Sequence, residues 1–341
     1  MKLIIQIPCL NEAETLPATL ADLPRSIAGI DVIEVLVIDD GSRDGTTEVA
    51  RAAGVDHVVR LRRNKGLAAA FAAGIDASLK RGADFIVNTD ADNQYPGGQI
   101  AALLDPLLKG DADIVIGDRN IASVRHMSWR KRQLQRLGSW VVRQVSSTTV
   151  PDTTSGFRAY TRDAALRMTI VSEFSYTLES IIQAGKKRMA IAHVPIETNP
   201  RTRQSRLFDS MFSYVKRSAA TIVRIYAMYE PLKIFTYVGV TVIAVGALIS
   251  LRFVYTFLTE PVSWARHLQS LLFAGVVVII GVQVLLIGLL ADVISANRKL
   301  LEDLLYRVRS LELPRPMDET AAGDEPPHEL SRTGVTRRWD R

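Results

Sequence analysis

The chain has 341 residues, a formal net charge of +6, 48% hydrophobic residues and one cysteine. Single domains run to about 50–250 residues, so this length accommodates a domain of about 200 residues and a second segment of different character. One cysteine excludes an intramolecular disulfide, and with five scattered histidines it supplies no zinc-ligand spacing, so Cys9 reads as a small buried residue.

The first eight residues, Met-Lys-Leu-Ile-Ile-Gln-Ile-Pro, hold too short an apolar run for a signal peptide, which predicts a cytoplasmic first domain. Residues 2–7 read as a strand, 14–26 as a helix and 32–39 as a second strand ending in Asp39-Asp40-Gly41-Ser42. A helix near 46–53, a strand at 57–61 and a helix at 67–80 follow. Residues 86–94 then read Ile-Val-Asn-Thr-Asp90-Ala-Asp92-Asn-Gln94, a buried strand with two carboxylates just past its end; a helix at 100–108 and a strand at 113–117 come next. This alternation predicts an α/β fold whose mostly parallel sheet is covered by helices on both faces. No G-x-G-x-x-G follows the first strand, so a dinucleotide fold is not indicated.

Open α/β sheets bind ligands at the carboxyl edge of their strands, and three polar tips converge there: Asn11-Glu12, Asp39-Asp40 and Asp90 to Asp92. A carboxylate–x–carboxylate pair with a neighbouring amide oxygen is hard-oxygen chemistry suited to Mg2+ or Mn2+ holding a diphosphate.

Positive charge is uneven. Arg125, Arg130, Lys131, Arg132 and Arg136 form one cluster, and Arg201, Arg203, Arg206, Lys216 and Arg217 form another just ahead of a long apolar run. Clusters so placed meet anionic lipid, and no nucleic-acid motif accompanies them, so no nucleic-acid partner is expected. The pattern over 128–145 suits an interfacial helix or a core helix equally; 207–229 repeats it more strongly, with Leu207, Phe208, Met211, Phe212, Val215, Ala219, Ile222, Val223 and Tyr226 at helical spacing.

Residues 234–258 and 268–291 are each long and apolar enough to cross a hydrocarbon core that needs about 20 residues. Lys233 before the first span and Arg298, Lys299, Arg307 and Arg309 after the second predict a multi-pass hairpin in the cell (inner) membrane with both ends cytoplasmic, against a weaker opposing signal from Arg252 and Arg266. Residues 292–313 alternate leucines with charges, as an amphipathic helix whose apolar face needs a partner; self-association as a dimer or tetramer is one answer. The division is then 1–204, a catalytic domain; 205–232, a juxtamembrane helix; 233–291, the hairpin; 292–313, a cytoplasmic helix; and 314–341, a disordered tail.

With these motifs in order, the chain resembles family 2 glycosyltransferases of the GT-A fold, in particular polyprenyl-phosphate glycosyltransferases of the dolichol-phosphate mannose synthase and bactoprenol glucosyltransferase type. The matching stretches are Pro8-x-x-Asn11-Glu12, Asp39-Asp40-Gly41-Ser42-x-Asp44-Gly45-Thr46, Asn64-x-Gly66, Asp90-x-Asp92-x-Gln94, Gly117-Asp118-Arg119 and Asp152-Thr-Thr-Ser155-Gly156-Phe157-Arg158-Ala159. With the hairpin, the likeness covers about residues 1–292.

The resemblance implies that Pro8, Asn11, Glu12, Asp39, Asp40, Lys65 and Asp90 bind the nucleotide sugar. It also implies that Asp90, Asp92 and Gln94 hold the metal, and that Arg119, Arg132, Ser155, Arg201, Arg203, Ser205 and Arg206 face the acceptor phosphate. Asp152, Asp92 and Arg119 would be catalytic, with Asp152 the candidate base. The family's Arg-x-x-Gly-x-Ser-Lys loop is altered here, with Arg203 where glycine is usual and Arg206 for lysine.

The chemistry supports this reading without the family. A departing nucleoside diphosphate develops charge that a divalent ion stabilises. A polyprenyl monophosphate, by analogy with phosphoserine, is largely anionic at pH 7 and needs placement more than deprotonation. Attack opposite the leaving group inverts the anomeric centre. A processive polysaccharide synthase is disfavoured because Gln133-Leu-Gln-Arg136-Leu137 lacks a tryptophan and two spans enclose no polymer channel; a nucleotidyltransferase is disfavoured because Pro8-Cys-Leu-Asn-Glu12 is no Gly-rich loop. A transferase acting on another membrane lipid such as diacylglycerol, and a non-catalytic membrane scaffold, stay open.

Overall fold

The computed structural model describes residues 1–119, 140, 142, 143, 145, 146, 148–171, 176–200, 211–259 and 268–313, with 211–218 as backbone only. Arg132, Arg201, Arg203, Ser205 and Arg206, most of 128–145, the segment 207–210, Arg266 and the tail 314–341 lie outside the described residues.

Seven strands form one sheet in the order β3-β2-β1-β4-β6-β5-β7: β1 Lys2–Cys9, β2 Val32–Asp39, β3 His57–Arg60, β4 Phe85–Asn88, β5 Ile114–Asp118, β6 Arg158–Thr161 and β7 Ile191–Pro195. β1 lies inside the sheet between β2 and β4, and its successive side chains serve the two faces in turn. Leu3, Ile5 and Ile7 join Val37, Val87, Leu103 and Leu104 on one side, while Ile4 joins Ile38, Phe71 and Ile86 on the other. Each buried aliphatic stabilises the fold by roughly 1.5–3 kcal/mol, which is why the central strands read as unbroken apolar runs.

Helices α1 (Leu16–Asp22), α2 (Thr46–Ala52), α3 (Leu67–Lys80) and α4 (Ile100–Leu108) follow the first strands. α1 is shorter than the expected 14–26, because Leu23 turns extended (ψ 140°) ahead of Pro24, whose ring disfavours helix in the residue before it. Two strands lie beyond those expected, β6 and β7, which runs parallel to β5; β6 is the one that breaks the parallel pattern. It runs antiparallel between β4 and β5, and two helices follow it, α5 (Arg162–Arg167) and α6 (Tyr176–Lys186).

α7 (Met211–Tyr229) buries Ile222, Ile225 and Tyr229, whereas Val223, expected in its apolar stripe, is exposed. α8 (Pro231–Thr259) and α9 (Leu268–Glu312) form a hairpin. Their most apolar windows have mean hydropathy 2.2 and 2.8, yet only 11% and 17% of each is buried, unlike core helices. Small residues bring the backbones together along the seam: Gly239 on α8 meets Gly281 on α9, Gly246 meets Ala274, and Gly288 makes room for Phe235. A Cβ on Gly281 would lie 2.6 Å from Ile243 and 3.0 Å from the Gly239 carbonyl, so glycine lets the backbones approach closely.

The expected helix 292–313 is no separate element. α9 runs unbroken past the apolar window and packs back against the α/β domain, where Tyr306 donates to Asp163 (2.7 Å) and Arg309 donates to the carbonyls of Leu166 and Met168. A charged collar binds this stalk to the domain. Glu230, between α7 and α8, pairs with Lys186 of α6 and with Lys233 (2.6 Å); Glu302 of α9 pairs with Lys187 (3.1 Å) and Arg298 (2.8 Å).

Candidate functional site

The register brings the acidic tips together. Cys9 at the end of β1 pairs with Asp39 at the end of β2, and Gln6 pairs with Asn88 at the end of β4. Because β6 is antiparallel, its first residue, Arg158, stands beside Asn88 and Ile116. The lead-in 152–157 therefore reaches the same edge as the 90–94 loop. A parallel strand would have delivered it to the opposite edge.

One wall is built from the loops after β1, β2 and β3. Asn11, in a left-handed conformation (φ 55°), donates its N–H to the Ser42 hydroxyl and accepts from the Arg43 N–H, each at 2.9 Å, and the Glu12 N–H donates to the Thr46 hydroxyl (2.9 Å). Asp39 accepts from the Ser42 N–H (2.7 Å) and the Thr47 hydroxyl, and Asp40 from the N–H groups of Lys65 (2.7 Å) and Gly66 (2.8 Å). Both aspartates, expected at the nucleoside, have their carboxylates engaged by loop donors. They are buried and engaged in tying the loops together, which leaves Asn11, Glu12 and the Lys65 ammonium as the side chains at the rim, with Pro8 buried beneath. Gly41 (φ 77°) has no substitute in this wall, since a Cβ would sit 2.7 Å from the Arg63 backbone.

The floor is the 90–94 loop. The Thr19 hydroxyl donates to the Ala91 carbonyl (2.9 Å), and the Gln94 N–H donates to Asp92 (3.1 Å). Beyond β7, Asn199 donates from its backbone to the Gln94 carbonyl and from its side chain to the Asn93 carbonyl, both at 2.9 Å. The chain thus leaves for Arg201 from beside this floor.

Asp90 makes no hydrogen bond among the described residues, and burial and the Asp92 carboxylate push its pKa up to about 7 against the pull of Arg119. Two carboxylates and an amide oxygen with no hydrogen-bonded cation fit a hard divalent ion. Among the described residues no three His, Cys, Asp or Glu side chains converge on one metal position. An ion at Asp90, Asp92 and Gln94 would therefore complete its shell with water and ligand oxygens, the usual habit of Mg2+.

Asp152 closes the other side. Arg119 donates Nε–H to its Oδ2 (2.7 Å) and an Nη2–H to its Oδ1 (3.0 Å), and it also bonds the Thr154 hydroxyl (2.8 Å). Burial alone would raise the Asp152 pKa, but the Arg119 guanidinium and the Thr154 hydroxyl and amide hold it below the usual carboxylate range. Such a carboxylate orients its neighbours and is a weak base. Arg119 keeps Nη1 without a hydrogen bond among the described residues. Ser155, expected at the acceptor, is fully buried beneath this side of the site.

Sequence reasoning missed the support beneath these groups. Arg158 is fully buried and donates to the carbonyls of Ser155 (2.8 Å), Thr153 (3.0 Å) and Thr177 (2.9 Å) and to the Ser180 hydroxyl (2.6 Å), which pins the 152–157 lead-in. Gln6 donates to Asn88, whose amide donates to the Gly156 carbonyl and the Tyr176 hydroxyl, each at 2.9 Å. Polar Gln6 and Asn88 inside apolar strands were the available signal. Cys9 is buried as expected.

Known proteins resemble this chain in sequence and fold. The profile of Glycosyl transferase family 2 matches residues 4–168, and that of the GtrB C-terminal hairpin matches residues 230–296. The undecaprenyl-phosphate mannosyltransferase of Micrococcus luteus is 30% identical over 206 residues, covering 58% of this chain and 83% of that protein. The chain belongs to glycosyl transferase family 2. Within that family, glycosyltransferase AglJ of Haloferax volcanii is 29% identical over 316 residues, 90% of this chain and 97% of that protein, so its likeness runs through the hairpin. The fold also matches, with a TM-score of 0.53 at 18% identity over 66% of this chain and 78% of the other, glucosyl-3-phosphoglycerate synthase from Mycobacterium tuberculosis, crystallised in complex with Mn2+, UDP and phosphoglyceric acid. Family membership makes the protein a glycosyltransferase with the expected GT-A-type sheet.

Proposed function

We propose that this glycosyltransferase moves a hexose from a nucleotide sugar, a UDP-sugar in preference, to a polyprenyl monophosphate, inverting the anomeric centre, at a membrane that its C-terminal hairpin crosses with the catalytic domain on the cytoplasmic side. The observation that carries the acceptor assignment is the Asp152–Arg119 pair. A hydroxyl acceptor, such as diacylglycerol, must lose a proton during attack, and the carboxylate best placed to take it is locked bidentate onto a guanidinium. A phosphate oxygen carries its charge already and requires only orientation. The undecaprenyl-phosphate mannosyltransferase relative and the apolar hairpin support the same acceptor.

In this reading Asp90, Asp92 and Gln94 hold a divalent cation, which when bound offsets the charge growing on the departing diphosphate. Asn11, Glu12 and Lys65 meet the nucleotide at the rim, while Asp39 and Asp40 keep that rim in shape. Asp152 fixes Arg119 so that its free Nη1 aims at the acceptor phosphate, and Arg132, Arg201, Arg203, Ser205 and Arg206 add charge and donors around the headgroup. Purified protein is incubated with UDP- and GDP-sugars, Mn2+ and a short polyprenyl phosphate. Transfer to the lipid phosphate is expected; no transfer from any donor, together with no Mn2+-dependent nucleotide binding, would leave the scaffold reading in its place.

A further inference from the structure

Helix α9 has two faces beyond the bilayer. One carries Ser295, Glu302, Tyr306 and Arg309, all bonded to this chain's own α5 to α7 region: Ser295 donates to the Met228 carbonyl (2.9 Å), and the contacts of the other three are given above. The other face carries Ile294, Leu301, Leu304, Val308 and Leu311, which are 39–81% exposed. Their spacing, 294, 301 and 308 interleaved with 297, 304 and 311, is a 3-4 heptad repeat, and Ile287 and Leu290 continue it back into the span. Five of the six positions of this row over three heptads are exposed aliphatics, which is not ordinary helix surface.

Lipid does not cover this row. The 21 residues from Asp292 to Glu312 rise about 1.5 Å each, so they carry the seam roughly 30 Å from the end of the apolar span, farther than headgroups reach. The catalytic domain does not cover it either, since it occupies the opposite side of the helix.

We infer that this face is the seam of a parallel, two-stranded coiled coil with a second copy of the same chain. All copies insert in one direction, so their α9 helices run parallel, and a parallel heptad seam complements itself in register. Mainly β-branched residues at one core position (Ile294, Val308) and leucine at the other (Leu304, Leu311) favour two strands. The flanks agree as well. Arg307 of one copy stands five residues before Glu312 of the other, the cross-helix offset that pairs opposite charges, and Leu300 stands likewise before Leu305 and widens the apolar contact. Asn297 is the one polar residue in the seam and opposes shifted registers.

The test uses full-length protein in membranes in a Cys9→Ser background, which removes the only native thiol. Leu304→Cys places a thiol in the seam, and Lys299→Cys places one away from it on the same helix. Under a short bis-maleimide or mild oxidation, Leu304→Cys is expected to form covalent dimers at least ten times more than Lys299→Cys. A monomeric Leu304→Cys, or equal cross-linking at both sites, overturns the inference. In detergent, Leu304→Arg with Leu311→Arg is expected to halve the particle mass relative to the unmodified chain; an unchanged mass also overturns it.

Discussion

The catalytic edge and the collar treat carboxylates in opposite ways. At the collar Glu230 and Glu302 each have two cationic partners, and Glu230 is held down to about 2 because Lys186 and Lys233 outweigh the burial that would raise it. At the edge Asp90 and Asp92 have no ion pair among the described residues, and Asp90 is pushed up to about 7. A balanced cluster stabilises a joint, whereas an unbalanced one stores affinity for a cation that arrives with the substrate. On the proposed function the edge gives up stability for binding, and the collar ties the domain to the stalk.

Four substitutions break or sharpen this contrast, in falling order of effect. Asp92→Asn removes half of the charge pair, so turnover is expected to fall by about 10^2–10^3-fold or more with the melting temperature unchanged or raised; near-normal turnover would remove the cation from the mechanism. Arg158→Met strands four acceptors beneath the site, and a loss of roughly 3–5 kcal/mol in chemical denaturation is expected, a stability effect at the edge that comes from its support and not from its carboxylates. Gly156→Ala brings a Cβ to 3.0 Å from Asp90 Oδ1 and 3.1 Å from the Tyr176 hydroxyl, and a drop of about tenfold in kcat is expected with little change in melting temperature.

Glu230→Gln acts at the collar and should leave transfer at pH 7 near normal while costing about 1 kcal/mol of stability. The pH dependence gives it a signature. A glutamate with a folded pKa of about 2 and an ordinary value of 4.5 contributes stability that is full above about pH 4.5 and lost as pH falls toward 2. Unfolding curves of the unmodified protein should steepen over that window, and those of Glu230→Gln should be flatter there.

Local pattern made much of the scaffold legible. The boundaries of α3 and α4 and the course of β2 follow from apolar periodicity, because those elements bury continuous faces. The acidic tips were legible too, since a parallel sheet sends the ends of β1, β2 and β4 to one edge. What stayed hidden depends on partners distant in sequence. β6 has Arg158 at its start, and only the carbonyls of Thr153 and Thr177 explain how an arginine is buried there. That Asp39 and Asp40 also tie their loops together is visible only once Thr47, Lys65 and Gly66 are seen to donate to them. Asp152 gave no sign of its bond to Arg119, 33 residues away. Likewise, periodicity showed that residues 292–313 have an apolar side but not that α5 holds the other one.

The central claim, that the edge binds an already anionic acceptor and orients it without a base, is tested most directly by offering the enzyme a matched pair of acceptors. A short polyprenyl phosphate and the corresponding free polyprenol are supplied with the same sugar nucleotide and Mn2+, and the initial rates are compared. The account predicts transfer to the phosphate and at least about 10^3-fold less to the alcohol, in line with what general-base catalysis contributes when present. Comparable rates on the two acceptors would contradict it.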